Sequence, residues 1–247
     1  MLELEQARQR IFDCLSTLPS EAVLLSEAAG RILAQPLVGT LDLPPVDNSA
    51  MDGYAVRAAD LAQASREKPV TLQLLGEIAA GGSATFNVKP QTCVRLFTGS
   101  PLPAGADAVI MQEDVTVASG NPQKVVCSES VKPWENVRLR GEDVKKGAAL
   151  LTKGQRLGTG AIALLAAQGL KKIEVTRRPL IAVLATGNEL IEPGARFDAG
   201  KIYESNRVML QEPLRVVGAL ARVYAIVPDS VRIRTEFWSE HWPNAMR

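Results

Sequence analysis

Apolar side chains open the sequence at helical spacing. Ala7, Ile11, Cys14, Leu15 and Leu18 are separated by Gln, Arg and Asp, which predicts a helix over residues 3–18 with one stripe turned to a core. Pro19 ends it. Two short apolar runs, VLL and RILAQPLV, flank SEAAG; they predict a strand, a turn that Ser26 can cap, and another strand. The period then drops to two. Val70, Leu72 and Leu74 alternate with Thr71 and Gln73, and further short strands are expected over 93–97, 108–112 and 124–127, between the turn clusters AAGG, GSPLPAGAD and ASGNP. Residues 44–140 thus read as an all-β insert. A turn and strand return over 147–156 and a small-residue helix, TGAIALLAAQGL, closed by Gly169, follow it.

After Arg177-Arg178-Pro179 the pattern changes again. LIAVLAT is a continuous apolar run of the kind found in buried parallel strands; the turn TGNEL, a helix over about 205–217 and a second strand, ARVYAIV, come next. This is the opening of a doubly wound α/β domain, although two strands are too few to bury both faces of a sheet. Pro213 inside the helix predicts a kink or an irregular turn, at about 3 kcal/mol if helical geometry is imposed. Met51, Met111 and the Leu-rich helix 162–170 are expected to fill core. The fold class is α+β with several domains.

Composition narrows the chemistry. Of 247 residues, 46% are hydrophobic and 22% charged, which describes a globular chain and not a disordered one. The net charge of +1 supplies no broad field for nucleic acid or anionic lipid, so neither is expected as a partner and any anion must be gripped locally. Cys14, Cys93 and Cys127 form no CxxC pair and suggest neither a disulfide framework nor a thiolate zinc site. No apolar run reaches the ~18–20 residues of a membrane span, and MLELEQARQRIF carries charges where a signal peptide would be apolar; a cytoplasmic location is expected. His241 is the only histidine, which argues against Ser-His triads and His-ligated metals.

Five loops hold the remaining candidates. DNSAMDGYA presents Asp47, Asn48, Ser49 and Asp52, residues that bind polar ligands and, more often, brace turns. In RLFTGS, Thr98, Ser100 and the intervening amides offer a cradle for an oxyanion, or simply a tight turn through Gly99. Arg138 and Arg140 alternate on a presumed strand and would share a face suited to a phosphate, with Glu142 and Asp143 at the following turn; local ion pairs in a solvated hairpin are the plainer reading. Glu189 lies just past the carboxyl end of the first α/β strand, where open α/β sheets bind ligands, and with Asp229 beyond the next strand it offers the few carboxylates that Mg2+ prefers. Capping or plain surface roles are the default for both.

In this order, DNSAMDGYAV, RLFTGSPLPAGADAVIMQED, VRLRGEDVKKG, LIAVLATGNEL and KIYESNRVML closely resemble the molybdopterin molybdenumtransferases, the MoeA-like family that includes the gephyrin E domain. The resemblance spans about residues 5–229. It implies insertion of molybdate into adenylylated molybdopterin with Mg2+ and release of AMP, by an elongated homodimer. Carried over by motif, it implies substrate binding or activity for Asp52, Thr98, Arg138, Asp143, Glu189 and Asp229. It also implies a linker and dimerisation domain over 1–43 and 141–176, the β-rich insert over 44–140, and an incomplete, MogA-like molybdopterin-binding α/β domain over 177–229.

The departures carry their own expectations. Asn188 stands where Asp is common in the family, and the family's Ser/Gly-rich segment, Gly-Asp motif and further β-domain have no counterpart here. The last 18 residues, SVRIRTEFWSEHWPNAMR, hold two of the three Trp and the only His and resemble nothing in the family, so residues 230–247 read as an unrelated tail on a truncated chain. The molybdenumtransferase itself is the first reading and a truncated, non-catalytic homologue that keeps folding, dimerisation or pterin binding the alternative. Weak or absent turnover is expected of this chain, because half the α/β sheet and its ligand loops have no counterpart in it. A carbohydrate- or peptide-binding β domain is the unrelated reading, and it needs the five-motif match to be accidental.

Overall fold

The computed structural model describes residues 2–118 and 120–230. Apart from Ser230, the expected tail over 230–247 lies outside the described residues. The chain begins with helix α1 (Leu4–Cys14), strands β1 (Ser20–Leu24), β2 (Leu37–Val38), β3 (Asn48–Ser49) and β4 (Gly53–Val56), and the single helical turn α2 (Ala58–Leu61). Strands β5 (Val70–Ile78), β6 (Thr92–Leu96), β7 (Ala108–Met111), β8 (Val115–Val117), β9 (Lys124–Cys127), β10 (Val137–Arg138) and β11 (Ala149–Leu151) follow. Helix α3 (Thr159–Ala167) leads to β12 (Lys172–Thr176), β13 (Leu180–Val183), β14 (Leu190–Ile191) and β15 (Ile202–Tyr203), then to α4 (Asn206–Val217) and β16 (Leu220–Val223). Residues 37–151 form one compact unit; the segments on either side of them form a second.

The first unit is built on a six-stranded sheet in the order β7-β4-β6-β5-β9-β8, antiparallel except where β5 runs parallel to β6. Strand alternation sends Tyr54, Val56, Cys93 and Ile110 to one core and Ala55, Val94, Leu96 and Val109 to another. Both faces of the central strands are therefore covered, and all four positions of β4 are buried. Gly53 starts β4 because nothing larger fits: a Cβ there would lie 2.1 Å from the Ile110 carbonyl oxygen.

In the second unit β1 pairs antiparallel with β12 over buried Leu33, Ile173 and Val175, and α3 adds Leu165. Gly169, at φ +77°, closes α3 in the left-handed conformation that only glycine adopts without strain. Beyond it β13 and β16 pair in parallel with α4 between them, and a Thr186–Val227 bridge prolongs the pair. Buried Arg207 ties this segment together. It donates to Glu204 at 2.8 Å, to Glu192 at 2.6 Å and to the Tyr224 carbonyl, so a cation 5% exposed is fully matched.

Several expectations are corrected. No residue of α1 is buried; Ile11 is 61% and Leu15 67% exposed, since nothing among the described residues covers the stripe. The run LIAVLAT is paired in parallel but not enclosed: Leu180 is 56% exposed and β16 is open at every position, because α4 and two strands cannot cover both faces. Helix α4 continues through Pro213 without the expected irregular turn. Ser26 lies inside the short turn Leu25–Glu27 and caps nothing. Met51 is exposed rather than core, and in α3 only Leu165 is buried. Hydrogen exchange at β13 and β16 is expected to be at least ~10-fold faster than at β4 and β6, which have covered faces on both sides; equal protection would contradict this burial contrast.

Candidate functional site

Three loops of the first unit are stitched together at the ends of β4, β6 and β7. Ser49 N–H donates to Ser100 O at 2.9 Å, Gly99 N–H to Ser49 O at 2.8 Å, and Ala50 N–H to Asn136 O at 2.9 Å. Asn48 and Ser49 also pair with Arg138 and Val137 as β3 and β10. Segments 47–52, 97–101 and 136–143 are thereby fixed with respect to one another, and Asp52, Thr98, Ser100, Arg138, Arg140 and Asp143 lie on them.

Within this cluster the Asp52 carboxylate receives two bonds from Thr98, one from its N–H and one from its hydroxyl, each 2.8 Å. The Thr98 amide foremost, then its hydroxyl and the nearby charge of Arg95, hold the Asp52 carboxyl below its ordinary value. Thr98 and Gly99 are exposed, so the turn is open to solvent. Ser100 is not: it is fully buried, its hydroxyl donating to Ile78 O at 2.8 Å and accepting from Phe97 N–H at 3.2 Å. It braces the turn from beneath and presents nothing to a ligand.

The expected common face of Arg138 and Arg140 does not form, because β10 ends at Arg138. Arg138 donates through Nε to Glu142 at 2.9 Å and through Nη2 to Asp143 at 2.6 Å. Those carboxylates raise the Arg138 pKa, and Arg138 in turn lowers that of Glu142. Arg140 turns instead to Asp42, donating at 2.6 Å through Nε, while its backbone N–H reaches Asp47 at 2.7 Å. The Lys146 amide at 2.7 Å, and then Arg140, hold the Asp42 carboxyl low. Asp47 thus fastens the RLRGED turn to the DNSAMD loop, and Asp42 ties the same turn to the segment that precedes that loop.

Arg95 is a component that the sequence reading missed. Its guanidinium lies 4.8 Å from the Tyr54 ring centre and 5.5 Å from that of Phe97, and it bonds the Gln112 side chain. Part of the signal was present: Arg95 and Phe97 are two apart at the end of the strand expected over 93–97, although β6 itself stops at Leu96.

Glu189 and Asp229 belong to the other unit, on neighbouring loops past the carboxyl ends of β13 and β16. Asn188 Oδ1 accepts from Asp229 N–H at 3.1 Å and latches the two loops. The Glu189 carboxylate folds back over Gly187, where a Cβ would stand 2.7 Å from both its oxygens. Among the described residues no three His, Cys, Asp or Glu side chains converge as a metal cage.

Because the folded-state pKa of Asp52 is depressed, its bonds to Thr98 stabilise the fold above the ordinary carboxylate value and are lost as pH falls through the lowered one. The side-chain carboxyl resonance of Asp52 should titrate below 3.8, and Thr98→Val should move the midpoint upward. An unchanged midpoint in the variant would show that the hydroxyl contributes nothing.

Comparison with known proteins extends the geometry. The family described as the MoeA N-terminal region, domains I and II, matches residues 2–169. The molybdopterin molybdenumtransferase of Haemophilus influenzae is 38% identical over 231 residues, 93% of this chain and 55% of that protein. That of Nostoc sp. is 38% identical over 226 residues, 92% of this chain and 51% of the relative. A crystal structure of the molybdopterin biosynthesis protein MoeA from Pyrococcus horikoshii superposes with a TM-score of 0.87 at 36% identity, covering 97% of this chain and 63% of that one. The chain spans about half the length of the curated relatives it matches. The family match over more than two-thirds of the chain, and the likeness of its sheet-rich fold to a solved MoeA, show that it belongs to the MoeA family.

Proposed function

We propose that the chain serves molybdenum cofactor biosynthesis as the relatives' name states, by binding adenylylated molybdopterin and supporting insertion of molybdate with release of AMP. The observation that carries the reading is the stitched three-loop cluster, which brings Asp52, Thr98, Arg138, Arg140 and Asp143 onto one fixed frame in a chain 38% identical to a molybdopterin molybdenumtransferase. Arg138 commits Nε and Nη2 to carboxylates, which leaves Nη1 for a phosphate. Arg140, its side chain 65% exposed, is the second cation for that role. Asp52 and Asp143 supply negative charge beside the two cations. Ser100 enters as the brace of the Thr98 turn.

The βαβ unit of β13, α4 and β16 supports reading residues 177–229 as the opening of a MogA-like, molybdopterin-binding α/β domain, beside the linker segments 1–43 and 141–176 and the insert 44–140. Glu189 and Asp229, on adjacent loops, fit Mg2+ held by one or two carboxylates and completed by phosphate and water; no all-protein cage is needed. When bound, the ion would neutralise charge on the substrate phosphates. The open stripe of α1 supports pairing with a second copy of the chain as a homodimer. Among the described residues no helix is long and apolar enough to cross a membrane.

The test is titration of the purified chain with adenylylated molybdopterin, followed by molybdate and Mg2+ with AMP release as readout. Saturable binding is expected, weakened by about tenfold or more in Arg138→Ala and Asp52→Ala. Absence of binding would refute the reading. Binding without AMP release would select the non-catalytic homologue.

A further inference from the structure

A cavity of about 540 Å³ in the second unit is lined by four cationic residues and by no acidic one. They come from separate turns: Arg31 after the short helical turn Leu25–Glu27, Lys153 after β11, and Arg177-Arg178 in the link from β12 to β13. Arg31 is 8% exposed and already matched, donating to Glu21 and, at 3.0 Å, to Thr176 O. Lys153, Arg177 and Arg178 are exposed and enter no carboxylate pair among the described residues. Their backbones are anchored nonetheless. Gly154 N–H donates to Leu33 O at 2.8 Å and Arg177 N–H to Pro19 O at 2.9 Å, so the side chains spring from fixed points around the opening.

Apart from Thr17, Thr176 and three glycines the remaining wall is apolar, with Leu18, Ile32, Pro179 and Val217 on it and buried Leu33 behind them. Val217 ends α4, and a helix C-terminus carries partial negative charge that would repel an anion. That charge is offset here, because Arg156 Nη2 donates to Val216 O at 3.3 Å. In a chain of net charge +1, this concentration of unmatched cations on one apolar hollow is local and specific. The volume also falls in the range of roughly 300–1,000 Å³ usual for small-molecule pockets.

We propose that this cavity binds a small phosphate ester, its apolar body resting on Leu18, Ile32 and Val217 and its charge held by Lys153, Arg177 and Arg178. None of the residues assigned to molybdopterin or Mg2+ above lines it, so the site stands or falls apart from that function.

Phenyl phosphate is the probe, titrated into the full isotopically labelled chain with amide shifts as the readout. Saturable shifts are expected at residues 30–33, 153–154 and 176–179, with inorganic phosphate and phenol each binding at least tenfold more weakly. Charge reversal by Arg177→Glu with Arg178→Glu, and separately by Lys153→Glu, should each weaken binding about tenfold, and added salt should do the same in part. All three side chains are exposed, so the fold should survive their replacement. Asp52→Ala should leave the affinity unchanged. Shifts that do not saturate, that lie mainly in residues 37–151, that are the same for phenol, or that persist in both charge-reversal variants would overturn the proposal.

Discussion

A strand covered on both faces has to emerge into solvent at its ends, and the emergence of β4 is governed by a carboxylate. Gly53 passes so close to the Ile110 carbonyl that no side chain fits there. The residue before it must then aim the loop away from the sheet. Asp52 does this from both of its ends: its side chain takes the two donors of Thr98, and its carbonyl accepts from Gln112 N–H at 3.0 Å. One residue thereby joins the loops attached to β4, β6 and β7. The backbone bonds from Ser49, Gly99 and Ala50 extend the junction to the arginine-bearing turn. Fixing such loops before a ligand arrives lowers the ordering cost of binding, which is how a scaffold contributes to affinity without adding contacts.

The second unit is organised differently. Its β1–β12 ladder and α3 enclose a small core, but α1, α4 and the pair β13–β16 leave large apolar side chains open, Leu4 at 78% and Val217 at 68% among them. Open apolar faces of this extent are surfaces for association. The proposed pairing of two copies would cover α1, and the Arg207 network keeps the βαβ segment ordered by polar contacts where apolar packing is thin.

Much of this was legible from the residues. Period-two alternation located β5, and the apolar run after Pro179 located the parallel strand, because both signals are local. Gly169 was readable as a helix end for the same reason. What alternation cannot convey is whether a face finds a cover. The stripe of α1 and the run LIAVLAT carry apolar patterns of core elements, yet both are open, since burial depends on what the rest of the chain brings to them. At the site, the residue types in DNSAMD and TGS pointed to bracing or binding without distinguishing them. The structure shows bracing at Ser100 and at Asp47, and an exposed turn at Thr98. Arg138 and Arg140 were placed on one face because a strand was assumed, and a two-residue strand sends them to different carboxylates. Arg95 escaped notice since its partners Tyr54, on β4, and Gln112, just past β7, come from other parts of the sheet, a long-range register that pattern alone does not give.

The most direct test is a crystal structure of the chain with adenylylated molybdopterin. The account predicts a ligand phosphate within hydrogen-bond distance of Arg138 or Arg140, with both Asp52–Thr98 bonds retained. Ligand seated away from segments 47–52, 97–101 and 136–143, or a cluster that comes apart when the ligand binds, would contradict it.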